Sequence, residues 1–305
     1  MVEKVLKTQV GIVGAGPAGL TLSRMLSLSG IDSIIIENQS RDYIQKRVRA
    51  GVLESGTVEL LNEIGIGERM MREGMIHHAI ELRFDLTRHL IDLFDLSGKE
   101  IMVYGQQEIV KDLVAAHVDE EGRPLLFNVS DVRLMDIESA DPQIHFCHEG
   151  NDVTIVCKFI AGCDGFHGIS RLLIPDNALT VYEHKFPFAW LGILAEAAPS
   201  TDNVIYANHE RGFALHSMRS PEIVRNYLQC DINDDVYNWS DDQIWSELQQ
   251  RMVLDDEFSL NEGKILEKGI TPMRGFIVDP MQYHNLFLAG DAAHIVPPTG
   301  AKGLN

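Results

Sequence analysis

The feature that most restricts this chain is the stretch from Thr8 to Glu37, TQVGIVGAGPAGLTLSRMLSLSGIDSIIIE, which reads as strand, glycine turn, helix and second strand. Val10 to Val13 make a short apolar strand, and GAGPAG places Gly14, Gly16 and Gly19 in GxGxxG spacing. The first glycine permits a tight turn, the second lets a pyrophosphate approach the backbone, and the third lets the helix pack on the strand. Free N–H groups at the helix N-terminus then face the phosphates. Leu20, Leu22, Met25, Leu26 and Leu28 give the helix a buried face, and Gly30 closes it. Ile34 to Ile36 form the next strand, ending at Glu37, whose carboxylate can accept both hydroxyls of an adenosine ribose. The glycine motif alone is weak. With the strand before it, the helix after it and the acid at the next strand end, it specifies a dinucleotide-binding α/β unit.

At 305 residues the chain is long enough for two domains. Its formal net charge of -19 argues against a nucleic-acid or anionic-membrane surface, since both need clustered Lys and Arg. No apolar run reaches membrane-spanning length. Cys147, Cys157, Cys163 and Cys230 lack CxxC spacing and a neighbouring His cluster, so neither a metal site nor a disulfide framework is expected. The N-terminus is unlike a signal peptide, and a reduced, cytoplasmic setting fits.

Two more carboxylates stand at strand ends beside glycine. TIVCKFIAGCDG reads as one apolar strand stopped at Asp164, and NLFL (Asn285 to Leu288) runs into AGDAAHIVPPTGAKGLN, with Asp291 just past the strand. Such a carboxylate suits a hydroxyl-rich ligand such as a ribityl chain, or else only caps a turn. Arg41, Lys46, Arg47 and Arg49 fall within nine residues, a positive cluster that is either solvated surface or a phosphate contact. His77 opens a run of expected strands, AIELRFDL and HLIDLFDL, and reads first as a polar packing residue. Gln106 lies at the turn before a helix. After Pro175 the pattern becomes antiparallel strands. Alternation puts Ser217 and Arg219 on one face of their strand, and Arg225 and Tyr227 on one face of the next. Two arginines with Ser and Tyr companions form either a carboxylate clamp or exposed cross-strand partners for acids. Ser240 is expected to cap the helix SDDQIWSELQQRM.

GAGPAG, CDGFHG and AGDAAH in this order, with RVRAGVLESG, VYGQ, YANHERGFAL and GDAAHIVPPTGAKGLN, make the sequence similar over essentially its whole length to the group A flavoprotein monooxygenases. It most resembles those acting on 4-hydroxybenzoate. The resemblance implies an α/β fold: a Rossmann-like FAD-binding domain over 1–179, with 77–102 lending strands to a second sheet. A mainly antiparallel substrate domain over 180–273 follows, and 274–305 returns to the first domain. It implies an enzyme that takes a hydride from NADPH, binds O2 as a flavin hydroperoxide and converts 4-hydroxybenzoate to 3,4-dihydroxybenzoate.

By motif match, Gly14, Gly16, Gly19, Glu37, Arg49, Gln106, Asp164 and Asp291 resemble the family's FAD contacts, with Lys302 and Asn305 close to the flavin ring. Ser217, Arg219 and Tyr227 would hold the substrate carboxylate, and Arg225 matches a residue linked to flavin movement. Tyr206 would hydrogen-bond the phenol, the backbone around Pro298 would contact the same hydroxyl, and His77 matches an outward proton relay. Deprotonation matters because a phenolate ring is far more electron-rich than a phenol. Gln39, Tyr43, Arg47, His167, Arg171 and Arg274 match the nicotinamide site. Asn38 stands where NADPH-preferring members commonly carry arginine, which leaves NADH open. The family is homodimeric and continues beyond the loop in which this chain stops, so the resemblance implies a longer parent protein.

Overall fold

The computed structural model describes residues 4–47, 51–254 and 258–305. Arg49 lies outside the described residues. A six-stranded sheet runs in the order Gln282–Tyr283, Leu286–Leu288, Phe159–Gly162, Val10–Val13, Ser33–Ile36, Leu125–Leu126. Of its five ladders four are parallel, and the hairpin Gln282–Tyr283 with Leu286–Leu288 is antiparallel. Strands buried on both faces need continuous apolar sequence, which VGIV and SIII provide. The helix Pro17–Leu28 starts at Gly16 with proline in its first turn and stops where Gly30 adopts φ +71. It packs with the helix Gln106–Val114 over one sheet face, around Ile12, Leu20, Ile35 and Leu113.

The eight-stranded sheet follows the order His294–Ile295, Lys264–Asp279, Thr180–Glu196, Ile223–Asp231, Ala214–Ser220, Val204–Ala207, Ala79–Phe84, Thr87–Asp92. All neighbours are antiparallel except Val204–Ala207 against Ala79–Phe84. The strand Lys264–Asp279 spans positions 273 and 274, but its pairing with Thr180–Glu196 is irregular there, jumping from Lys185 opposite Arg274 to Ala189 opposite Pro272, and Phe276 pairs with Ile295 of the returning chain. One face of this sheet is apolar and takes the helix Asp241–Met252, whose Ile244, Trp245, Leu248 and Met252 are buried against Leu191, Ile193, Val224 and Leu228. Each such side chain contributes about 1.5–3 kcal/mol of burial. Ser240 caps this helix by accepting from the Gln243 N–H at 3.2 Å, as expected.

Local readings differ from the structure in three places. Met25 and Leu28, expected on the buried face of the helix Pro17–Leu28, are exposed near its C-terminal end. TIVCKFIAGCDG is two strands rather than one: Asn151–Val156 joins a four-stranded sheet, and Phe159–Gly162 joins the six-stranded one. The switch occurs at Cys157 and Lys158, whose N–H groups bond Pro142 and Gln9 instead of a common partner strand. HLIDLFDL stops being a strand at Asp92, where the side chain accepts from the Asp95 N–H and opens the short helix Leu93–Ser97.

Candidate active site

Three turns meet at the C-terminal ends of the parallel strands. Gly14, at φ +105, lies so close to the next turn that a Cβ there would sit 2.4 Å from the Cys163 carbonyl oxygen. Gly19 abuts the Gly14 carbonyl in the same way, while a Cβ on Gly16 would enter open space. That open position above a helix start without a side-chain cap is where a phosphate fits. Glu37 braces the turn: Oε2 accepts from Ala15 N–H and Oε1 from Gln39 N–H, both at 2.8 Å. Asp164 Oδ2 accepts from the Ser170 N–H and hydroxyl at 2.9 Å, whereas its buried Oδ1 has no hydrogen-bond partner among the described residues. Gly290, at φ +63, brings the Asp291 turn against Ala18 at the start of the helix. An open glycine cradle and an orphaned carboxylate oxygen fit a hydroxylated, phosphate-bearing cofactor. Gln106 begins its helix nearby in the same layer.

Arg171 clasps the turns together, donating to Ala292 O at 3.0 Å and Phe166 O at 2.7 Å. Its guanidinium also lies over Phe166 and Phe276, and Arg274 lies 4.5 Å over the same Phe166 ring. His167 meets that ring edge-on at 5.0 Å. The structure thus gathers His167, Arg171 and Arg274 around Phe166, a hub that the sequence reading missed. Gln39, the half-exposed Tyr43 and Arg47 stand apart, with no hydrogen bond or ring contact to that group among the described residues. Lys302 and Asn305 turn toward the Val52–Leu53 strand and its neighbour. Lys302 pairs with Glu54, and Asn305 accepts from Glu54 N–H at 2.9 Å and donates to Val52 O at 2.9 Å. Pro298 is exposed in a short turn whose carbonyl accepts from Ala301 N–H.

The second half of the site is the sheet face opposite the Asp241–Met252 helix. Register pairs Tyr206 with Leu215, Leu215 with Tyr227, and Tyr227 with Gly192, while Ser217 pairs with Arg225. Opposed residues share a face, so Tyr206, Tyr227, Ser217 and Arg225 all point the same way. A bulge between Met218 and Ser220 leaves Arg219 as the extra residue. Arg219 lies beside Tyr227, and its Nε and Nη1 are buried and have no hydrogen-bond partner among the described residues. Arg225 Nη1 is likewise buried without a hydrogen bond, 3.9 Å from Glu267. Burial pulls the Arg219 pKa down, Tyr227 opposes this, and Arg225 adds to it. Ser217 is buried and donates to Arg225 O at 3.1 Å. Burial pushes the Tyr206 pKa up. Trp190 completes the face, stacked on Phe213 at 4.8 Å and tilted against Tyr227 at 5.2 Å, with its buried indole N–H lacking a hydrogen-bond partner among the described residues. Neither ring was legible from the sequence, because their contact depends on cross-strand register.

His77 lies in a separate three-stranded sheet, paired with Ile101. It is buried, and both ring nitrogens lack a hydrogen-bond partner among the described residues. Burial lowers its pKa, opposed by Asp202. No cluster of three His, Cys, Asp or Glu able to hold a metal occurs among the described residues.

A family model described as an FAD binding domain matches residues 7–305. The chain is 45% identical over 303 residues to the p-hydroxybenzoate hydroxylase of Acinetobacter baylyi, covering 99% of this chain and 74% of that protein. It is 21% identical to a rifampicin monooxygenase of Rhodococcus hoagii, spanning 61% of that protein. Among solved structures, p-nitrophenol 4-monooxygenase PnpA of Pseudomonas putida superposes with a TM-score of 0.79 over 99% of this chain and 76% of that one, at 15% identity. At that identity the likeness speaks for the fold.

Proposed function

The chain belongs to the FAD binding domain family of flavin monooxygenases, and from that premise we propose that it hydroxylates 4-hydroxybenzoate beside the hydroxyl, giving 3,4-dihydroxybenzoate. One observation carries the substrate class: among the described residues the buried Nε and Nη1 of Arg219 and Nη1 of Arg225 have no hydrogen-bond partner, and Arg225 shares the Tyr206 face with the bulged Arg219 beside it. Burying guanidinium donors without partners is costly, and a carboxylate offers two acceptor oxygens in matching geometry. Its para hydroxyl then falls toward the aromatic end of the face. In balance, one ring C–H, O2, NADPH and a proton give C–OH, water and NADP+.

FAD, when bound, supplies hydride acceptance from the nicotinamide and the activation of O2. The Gly16 turn and helix start would hold its pyrophosphate, Glu37 its ribose, and Asp164 and Asp291 its hydroxylated chain. Arg274 and His167 would meet NADPH, with Arg171 bracing the Phe166 ring beneath them. On the sheet face, Tyr206 keeps its proton at neutral pH because burial raises its pKa. It therefore orients the substrate hydroxyl and shares its proton rather than acting as a lone base. Burial lowers the His77 pKa, so the neutral ring would offer its one unprotonated nitrogen to take the proton onward. Trp190 and Phe213 keep the ring site dry. The test is product identification with FAD, NADPH and 4-hydroxybenzoate. Substrate-dependent NADPH oxidation with formation of 3,4-dihydroxybenzoate supports the assignment, and NADPH oxidation indifferent to the acid refutes it.

A further inference from the structure

The turn from Asn208 to Phe213 joins the strand bearing Tyr206 to the strand bearing Ser217 and Arg219. Its conformation is held from the far side of the sheet. Glu247 and Arg251, one turn apart on the helix Asp241–Met252, are both buried, with Arg251 Nη2 donating to Glu247 Oε2 at 2.9 Å. Arg251 Nη1 reaches on to Phe213 O at 3.2 Å and Gln229 O at 2.8 Å. The Phe213 N–H donates to Gln229 Oε1 at 3.2 Å, so the Phe213 backbone is held on both sides. Arg211, on the turn itself, forks onto the same Glu247 carboxylate. Gly212, at φ +108, gives the bend that lets Phe213 turn back onto the sheet. The ring so fixed lies 10° from parallel with Trp190 and 6.2 Å from Tyr206.

A buried ion pair is a weak source of stability, because desolvation offsets most of its attraction. Its directional bonds are better suited to placing a backbone. We propose that Glu247 and Arg251 are positioning residues which, through Phe213, set the wall of the aromatic-ring site formed with Trp190 and so fix the ring against Tyr206. The proposal rests on the reading of that face as the substrate site. Without the pair, Phe213 keeps only its two bonds to Gln229, the Asn208–Phe213 turn is less firmly held, and the substrate ring is placed less accurately.

The experiment compares wild type with Arg251→Met, Arg251→Lys, Arg211→Met and Phe213→Leu, each loaded with FAD. Arg251→Met is expected to weaken 4-hydroxybenzoate binding and lower the product formed per NADPH consumed, together on the order of tenfold to a hundredfold. Flavin retention stays unchanged, Phe213→Leu reproduces the loss, and Arg251→Lys restores part of it. If Arg251→Met fails to fold, Arg211→Met decides, because that side chain is half exposed and its removal frees only the turn. The emission of Trp190, taken as the difference between each variant and its Trp190→Phe counterpart, reports the stack without any ligand. A red shift in the Arg251 or Arg211 variant supports the proposal. Unchanged Trp190 emission, or wild-type binding and coupling in folded Arg251→Met and Arg211→Met, overturns it. If wild type does not bind 4-hydroxybenzoate, the substrate reading fails, and the Trp190 emission still decides the positioning role.

Discussion

The turns at the ends of the parallel strands and the face of the antiparallel sheet meet their ligands in opposite ways. At the turns most polar side-chain atoms are already engaged: Glu37 takes two backbone N–H groups, Arg171 caps two carbonyls, and Asp164 holds Ser170 through Oδ2, leaving only its Oδ1 without a partner among the described residues. What they offer a nucleotide is a fixed backbone surface with room above Gly16. On the sheet face the polar groups are buried and partly unengaged, at Arg219, Arg225 and Trp190. Donors in that state would favour a bound anion. On the proposed assignment, the difference teaches that the cofactor half would work by preorganised shape, whereas the substrate half would gain much of its selectivity from groups that are costly to leave unpaired.

The sharpest way to break this contrast is to remove the group that acts only on the reacting end. Tyr206→Phe should leave 4-hydroxybenzoate binding nearly intact and reduce product formation by about 10²–10⁴-fold, read by single-turnover product analysis. Equal product yield would remove Tyr206 from the chemistry. Next comes Arg219→Ala, expected to weaken 4-hydroxybenzoate by roughly 2–4 kcal/mol while flavin retention is unchanged, measured by spectral titration. Unchanged affinity would show that the clamp lies elsewhere.

On the turn side, paired glycine substitutions separate shape from space. Gly14→Ala meets both positive φ and the Cys163 carbonyl, so it should cost roughly 1–3 kcal/mol in the urea unfolding midpoint and also release FAD. Gly16→Ala meets nothing and should change stability by less than about 1 kcal/mol, yet still weaken FAD binding by intruding on the phosphate position. If both variants behave alike, the two glycines do not have distinct tasks.

The smallest expected effect is one of pH on the fold. Burial lowers the pKa of His77, His117 and His216 below their usual 6.5. His216 accepts from the Ser200 N–H at Nε2 while its Nδ1 bonds Asn226 Oδ1, an arrangement that needs the neutral ring. As pH drops below about 6.5 the unfolded chain takes protons that the folded chain refuses, so stability is lost on acidification, by less than about 1.4 kcal/mol per pH unit for each histidine. His216→Gln should flatten the dependence of the urea midpoint between pH 7 and 5; an unaltered slope would assign the effect to other groups.

Legibility in the sequence followed the range of the interactions. The glycine turn, Glu37 and the Ser240 cap could be read because strand, turn and helix signals lie within a few residues of one another. Alternation put Arg225 and Tyr227 on one face of their strand, as the register does, but it also put Arg219 on the Ser217 face, and the bulge that interrupts that alternation came only with the register. The break at Cys157 was hidden because both halves of that run are equally apolar. Phe166, Trp190 and Phe213 stayed invisible, since an aromatic ring gives no sign in sequence of whether it packs in a core or walls a site. The ties of Lys302 and Asn305 to Glu54, about 250 residues away, had no local signal at all.

The most direct measurement of the central claim is the affinity of the FAD-loaded protein for 4-hydroxybenzoate against that for 4-hydroxybenzamide, which keeps the ring and hydroxyl but lacks the charge. Buried guanidinium donors awaiting a carboxylate predict that the acid binds more tightly by about a hundredfold, and that Arg219→Ala abolishes most of the gap. Equal affinity for the two compounds would contradict the account.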